Sequence, residues 1–411
     1  MKKQNKRRIR VKRNRRNTVI AGLLAALATV LASAATSEQG VVESPRTQSK
    51  PEFNPGLFSG KPLRDKIQIA IILDTSNSMD GLIDQTRNQL WQVVNDFSSA
   101  RRNGRPPVLE IALLEYGNDN NFVQSGFIRQ LNGFTRELDQ VSAGLFSLTT
   151  SGGSEYSGFA IETAVTNLNW SQTDSDLKSI FIAGNESFRQ GPINFQQAII
   201  RARKQGIIIN TIHAGDYQTG ITDGWQSAAL LSGGDFMSID ANRRVAHISA
   251  PQDAKIAKLN SQLNETYLPF GSEGKSKASR QLEQDKLSSK ISSGLLAKRA
   301  ISKSTSYYNN ARWDLVDAMQ AGSVNEQGLA DMDETLLPEP MSELSSKERV
   351  EYIAKKSQKR KNIQEQIKQL SKARAAYVVS KSEGQAIIPD ISKAVTSAVK
   401  NLAMQKDYIF E

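Results

Sequence analysis

Apolar residues recur in two rhythms along this chain, and their alternation predicts the fold. Residues 67–74 form an apolar run interrupted only by Gln68, of a length that suits a buried strand. Residues 82–100 then place Leu90, Val93, Val94 and Phe97 on one helical face, and 108–116 read as a second strand. Helical spacing returns over 136–148 and 156–168, a strand over 179–183, a helix over 195–204 and a buried strand over 206–212. Two segments, 225–232 and 236–239, complete the series. Continuous Ile/Val/Leu strands between helices imply a mainly parallel sheet covered on both faces, a doubly wound, Rossmann-like α/β domain. Ligands of such sheets bind outside the carboxyl ends of the strands.

Beyond residue 251 no strong strand pattern follows, so the chain divides into an α/β domain over 66–250 and a mostly α-helical C-terminal region over 251–411. A helix is expected over 253–267, a polar Gly/Ser/Lys break over 271–277 and a helical stretch over 281–319. The aromatic cluster from Tyr307 to Trp313 within that stretch is expected to be buried between tail and domain. Ser345 and Glu348 form a capping box that should start a long helix near 345–380. Val350, Ile353, Ser357, Arg360, Ile363, Ile367, Leu370 and Tyr377 then follow spacings of three and four, the seam of a coiled-coil-like rod. A last helix is expected over 391–405.

Charge is informative mainly by its position. Ten of the basic residues behind the formal +11 lie between Lys2 and Arg16, so the remainder is about +1, no electrostatic footprint for nucleic acid. Those residues precede an Ala/Leu-rich run at 18–35, ending in the small triplet Ala32-Ser33-Ala34. This is the composition of a signal peptide or an N-terminal membrane anchor over 1–35, followed by a linker over 36–65. Either places the rest outside the cytoplasm, in the periplasm or cell envelope. No cysteine is present, which excludes disulfides, thiolate metal sites and a cysteine nucleophile. Residues 347–374 hold ten basic and three acidic side chains. With Tyr352 the one aromatic among them, they read as a solvated face, with membrane or envelope association as the functional version.

The candidate chemistry sits where the first strand ends, in Asp74-Thr75-Ser76-Asn77-Ser78. One carboxylate and two hydroxyls at alternate positions can converge as hard oxygen ligands for a divalent cation. This Asp-x-Ser-x-Ser loop resembles the metal-ion-dependent adhesion site (MIDAS) of the von Willebrand factor A (VWA) family, over about residues 66 to 250. The resemblance implies a metal held by three loops and a non-catalytic protein-interaction or scaffold module, in which a partner's acidic side chain completes the coordination. The first loop matches in Asp74, Ser76 and Ser78. In the second, Gly152-Gly153-Ser154-Glu155, Ser154 stands where the family has Thr, and Glu155 adjoins it. In the third, Gly184 stands where the family has Asp, so Asn185 or Glu186 would take over. The implied cofactor is Mg2+ or another divalent cation; the partner is an unidentified protein.

Enzymatic readings fail on particular residues. A phosphohydrolase of the haloacid dehalogenase type needs Asp-x-Asp, and here the second acid is Ser76. The chain holds no Gly-rich phosphate loop, Gly-x-Ser-x-Gly elbow or His-Glu-x-x-His helix. A structural envelope protein with a metal-free VWA domain is the alternative. His213 and His247, the two histidines, read as structural, and Asp216 and Asp223 as turn residues.

Overall fold

The apolar run after Asp65 forms strand β1 (Lys66–Asp74), which lies inside a six-stranded sheet. The computed structural model describes residues 64–240, 248–382 and 391–410. The expected leader, almost all of the expected linker, and His247 lie outside the described residues.

Strands β2 (Ala100–Arg101), β3 (Val108–Tyr116), β4 (Arg129–Thr135), β5 (Leu177–Gly184), β6 (Ile207–Ala214) and β7 (Phe236–Ile239) follow β1. The large sheet runs β4-β3-β1-β5-β6-β7, parallel except for β4, which pairs antiparallel with β3. Between the strands lie α1 (Asp80–Phe97), α2 (Leu138–Ser147), α3 (Ser157–Asn167), α4 (Phe195–Lys204), α5 (Tyr217–Thr222) and α6 (Trp225–Ser232). Side chains alternate across each strand, so β1 sends Ala70 and Ile72 to one face and Ile67, Ile69 and Leu73 to the other. The first face packs on α3, α4 and α6 through Ile161, Ile199 and Trp225. The second packs on α1 and α2 through Leu90, Phe97, Val141 and Leu145.

The remaining elements are α7 (Asp253–Asn264), α8 (Gly274–Ile291), α9 (Ser293–Lys303), α10 (Leu315–Ala321), α11 (Glu326–Ala330), α12 (Ser346–Ser382), α13 (Ile391–Met404) and β8 (Ile409–Phe410). Some of them form a small core of their own, through Leu268, Leu315, Val316, Leu329, Met341 and Ile353, and the rest join a core of the sheet. Leu263, Leu295, Trp313, Ile363 and Ile367 belong to the same buried cluster as Ile69 and Leu73. So do Val395, Ala398 and Val399 of α13, which lies over the second sheet face beside α1. Strand β8 then pairs with β2, matching Phe410 to Ala100 and Ile409 to Arg101. The division at residue 250 thus follows the sequence patterns, while the largest core runs across it; Lys61–Glu411 is one compact unit.

Three expectations for the helical region change. The break at 271–277 is short, because α8 already starts at Gly274. The stretch 281–319 is broken at Ser292, whose extended backbone ends α8 and whose hydroxyl accepts from Leu295 N at 3.0 Å. It breaks again before α10, where Asp314 caps the helix by accepting from Asp317 N at 3.0 Å. The third change concerns α12. Its capping box forms, Ser345 N donating to Glu348 Oε2 at 2.9 Å, but the helix folds back against α7, α9 and α10 instead of standing as a rod.

Not all of its basic side chains are solvated. Arg360 is 3% exposed, lies 4.1 Å over the Tyr267 ring, and reaches Asp314 Oδ2 at 2.6 Å and Asp317 Oδ1 at 2.7 Å. Arg374 pairs with Asp253 at 2.7 Å, and Arg349 donates to Met341 O at 3.2 Å. These arginines lie on the seam side and anchor the helix. The aromatic cluster is buried as expected: Tyr267 stacks on Trp313 at 5.7 Å, and the Tyr308 hydroxyl donates to Asp139 Oδ2 at 2.5 Å. Among the described residues no helix is long and apolar enough to cross a membrane.

Candidate functional site

Strand pairing places the candidate site at the carboxyl end of the sheet. Asp74 ends β1 opposite Tyr116 of β3, and Leu73 lies opposite Ala183, one residue before Gly184. The chain then leaves β1 through residues 75–79, and three backbone bonds tie this loop to β3 and to the second loop. Thr75 N donates to Tyr116 O at 2.9 Å, Ser151 N to Thr75 O at 3.0 Å, and Asn77 N to Gly152 O at 3.1 Å. The first and second predicted loops are therefore latched together by main chain, which frees their side chains for other work.

Asp74 is fully buried, and its Oδ1 accepts from Ser76 N at 2.8 Å. Ser76 Oγ lies 3.4 Å from Ser78 Oγ, and Asn185 Nδ2 donates to Ser78 Oγ at 3.2 Å. Glu155 is 3% exposed and its carboxyl meets that of Asp74. Within the protein, Asp74 Oδ2 and Glu155 Oε2 are both buried without a hydrogen-bond partner.

Two carboxyls this close in a dry pocket cannot both ionise easily. Burial pushes Asp74 upward, opposed by hydrogen bonds from Glu155, Ser76 and Asn185. Burial, the hydrogen bond to Asp74 and its charge push Glu155 up to about 9. Without a cation the pair therefore holds a proton at neutral pH. Tyr116 beside it is also raised, first by burial and then by the two carboxylates, so its phenol stays neutral and donates to Ala183 O at 3.3 Å.

The expected ligands separate into two groups. Asp74, Ser76, Ser78, Glu155 and Asn185 come together. Ser154 is half-buried next to Glu155, with no hydrogen bond to this group among the described residues. Glu186 is exposed, accepts from Gln190 Nε2 at 3.3 Å, and acts on Glu155 only through its like charge. His213 is structural, its Nε2 lying 3.2 Å from Asn185 O and its ring 5.7 Å from that of Trp225, so it holds the third loop in place. Asp216 caps α5 by accepting from Gln218 N at 2.9 Å, and Asp223 O accepts from Phe188 N at 2.9 Å.

Two neighbours were not singled out from the sequence. Gly117 follows β3 with φ of 78°, and a Cβ there would stand 2.7 Å from Asp74 Oδ1. A glycine directly after an apolar strand was the available signal. Tyr116 explains Gly184: a Cβ at that position would lie 2.3 Å from the Tyr116 hydroxyl. The large phenol occupies the space into which an acid at 184 would have to extend.

The donor set is all oxygen, with two buried unsatisfied carboxyl oxygens, two hydroxyls and one amide, and it fits a hard divalent cation. Asp74, Ser76, Ser78 and Glu155 would hold the ion, with Asn185 at the third loop. Among the described residues no group of three or more His, Asp or Glu offers a metal site, so hydroxyls must contribute here. Without metal, Glu155→Gln is expected to stabilise the protein, because the new amide can donate to the Asp74 carboxylate and ends the carboxyl conflict. The gain should be about 1 kcal/mol, a rise of about 2 °C in Tm by calorimetry in chelator.

The family model for the von Willebrand factor type A domain matches residues 68–221. The chain therefore carries a VWA domain, with a mainly parallel sheet flanked by helices and a helical region after it. VWA domains mediate protein–protein interactions and often bind a divalent metal at this loop. Among solved structures, proximal thread matrix protein 1 from the mussel byssus is 14% identical over 43% of this chain and 42% of its own, with a TM-score of 0.31. It has also been solved with zinc in its MIDAS motif. BatB from Bacteroides thetaiotaomicron is 14% identical over 42% of this chain and 90% of its own, at a TM-score of 0.33. The pilus adhesin SpaC from Lactobacillus rhamnosus GG is 12% identical over 52% of this chain and 33% of its own, at 0.34. The chain spans less than half the length of the byssal protein. A search of the curated proteins finds no match.

Proposed function

We propose that this protein is a non-catalytic interaction module of the cell envelope that binds a partner through a divalent cation, Mg2+ by preference, at the Asp74 site. The observation that carries the reading is the pair of buried, unsatisfied oxygens on Asp74 and Glu155, set among hydroxyls where three loops meet. When bound, the ion supplies an electrophilic centre that accepts a carboxylate from the partner. Asp74 and Glu155 provide the charge, Ser76 and Ser78 the neutral donors, and the uncharged Asn185 leaves more of the cation's charge for the incoming group. Oxygen-only donors favour Mg2+ or Ca2+ over softer metals. Ser76, in place of a second acid, supports a binding role over phosphohydrolysis. The leader-like composition before residue 36 supports export.

The second reading, a metal-free structural domain, draws on Gly184 and on the proton-sharing contact between Asp74 and Glu155, which settles the site without an ion. Pull-down with the full chain separates the two. A partner captured in Mg2+, released by chelator and lost with Asp74→Ala supports the bridged mechanism. A partner held equally with and without chelator contradicts it.

A further inference from the structure

The last residues of α7 and α9, Asn264 and Lys303, meet beside Asp285 of α8. Lys303 is 0% exposed, and its Nζ donates to Asn264 Oδ1 at 2.5 Å and to Asp285 Oδ2 at 3.1 Å. Asn264 in turn donates from Nδ2 to Asp285 Oδ2 at 2.7 Å, and Asn260 Nδ2 donates to the same oxygen at 2.8 Å. Arg299 Nε reaches the other oxygen, Oδ1, at 2.6 Å. An amine, a primary amide and a carboxylate are thus in mutual contact in a space largely closed to water, with the Tyr267 ring 5.9 Å from Nζ.

Each group holds the position that amide exchange needs. A C=O bond is about 1.2 Å long, so Nζ lies no more than about 3.7 Å from Asn264 Cγ. A small turn of either side chain reaches the ~3–3.5 Å at which a fixed pair of groups reacts as if highly concentrated. Burial, against the attraction of Asp285 and with repulsion from Arg299, brings the Lys303 pKa down to about 8. A fraction of the amine is then neutral near physiological pH, with a lone pair to give. Asp285 Oδ2 touches both the nitrogen that would attack and the nitrogen that would leave, which is where a proton carrier must stand. An ion pair alone would not require the amide nitrogen on that same oxygen.

We propose that Lys303 and Asn264 become joined by an isopeptide bond, formed with Asp285 as the proton carrier. The Lys303 amine attacks Asn264 Cγ, forming the Nζ–Cγ bond while the carbonyl electron pair moves onto Oδ1. Asp285 takes a proton from Nζ and passes it to Nδ2. The electron pair on Oδ1 then re-forms the carbonyl as the Cγ–Nδ2 bond breaks. The products are a secondary amide and one ammonia, and nothing is oxidised or reduced. The bond removes the Lys303 charge, so Arg299 becomes the cation that keeps Asp285 paired. It also closes a loop across the 39-residue separation of Asn264 and Lys303, a constraint on the unfolded state in a chain with no cysteine for disulfides.

Tryptic mapping of the denatured full chain by tandem mass spectrometry tests this. The wild type should yield residues 259–275 joined to residues 300–312, with no cleavage after Lys303. This branched species should be about 17 Da lighter than the two peptides together, the mass of the ammonia released. Asn264→Ala should give residues 300–303 and 304–312 as separate peptides. Asp285→Asn, with its fold checked by circular dichroism, should carry at least about tenfold less of the bond, and Asp285→Glu should restore it. Complete cleavage after Lys303 in the wild type would overturn the proposal whether or not the variants fold. Undiminished linkage in Asp285→Asn would overturn the role given to Asp285.

Discussion

Arg299→Met is expected to lower stability by about 3–5 kcal/mol, because it removes the cation shared by two buried carboxylates and leaves Asp285 with Lys303 alone and Asp139 with no cation partner among the described residues. Arg299 is 0% exposed and lies 4.6 Å over the Trp91 ring. Its Nη1 reaches Asp139 Oδ1 at 2.5 Å, its Nε reaches Asp285 Oδ1 at 2.6 Å, and its Nη2 donates to Gln281 O at 2.9 Å. The side chain ties α9 to α2 and α8, and so ties the helical region to the sheet. Burial alone would raise the Asp285 pKa, but Lys303 and Arg299 hold it well below the usual carboxylate range. A depressed carboxylate contributes stability that is present above its unfolded pKa of about 4 and lost as pH falls through the folded value. Without Arg299 that depression is partly lost, because Asp285 keeps only Lys303, and the folded variant takes up a proton more readily than the wild type. Urea unfolding should therefore show a large loss at pH 7.5 and a smaller one near pH 5. An equal loss at both would mean that packing against Trp91, not charge, dominates.

Deleting residues 383–411 is expected to prevent the remainder from folding cooperatively. Helix α13 covers the second sheet face with Val395, Ala398 and Val399, and Tyr408 is buried beyond it. Uncovering two valines, a tyrosine and the sheet residues beneath them removes on the order of 5 kcal/mol or more of apolar burial, comparable to the net stability of a domain. The pairing of β8 with β2 is lost as well. The truncated chain should be insoluble, or soluble without a cooperative unfolding transition in circular dichroism. A transition at the full-length midpoint would show that the VWA domain stands without its C-terminal helix.

This dependence on the far end of the chain was not legible in the sequence, although most of the sheet was. Buried strands and their helices announce themselves by local periodicity, and β3 and α4 begin and end where that pattern does. β4 was missed because Asn132 and Gly133 interrupt its alternation; it is an edge strand held partly by the pair between Arg129 and Glu115. β2 and β8 are two residues each, too short for any period, and depend on a pairing partner some 300 residues away. The seam on α12 was legible but its occupant was left open, because a helix that meets its own chain and one that meets a second helix need the same apolar spacing. At the site, the Asp-x-Ser-x-Ser loop could be read from local order alone. That Glu155 would meet Asp74, while Glu186 faced solvent, depended on loop geometry with no sequence period. The Gly184 departure became intelligible only with Tyr116 across the strand pair.

In the proposed site, Asp74 and Glu155 form the part whose charge holds a divalent cation. Titration calorimetry of Mg2+ into the chelator-treated full chain at pH 7.5 tests it most directly, with Asp74→Ala and Glu155→Gln alongside. One saturable site in the wild type, weaker in Glu155→Gln and absent in Asp74→Ala, is the predicted result. No binding to the wild type, or the same binding in Asp74→Ala, would contradict it.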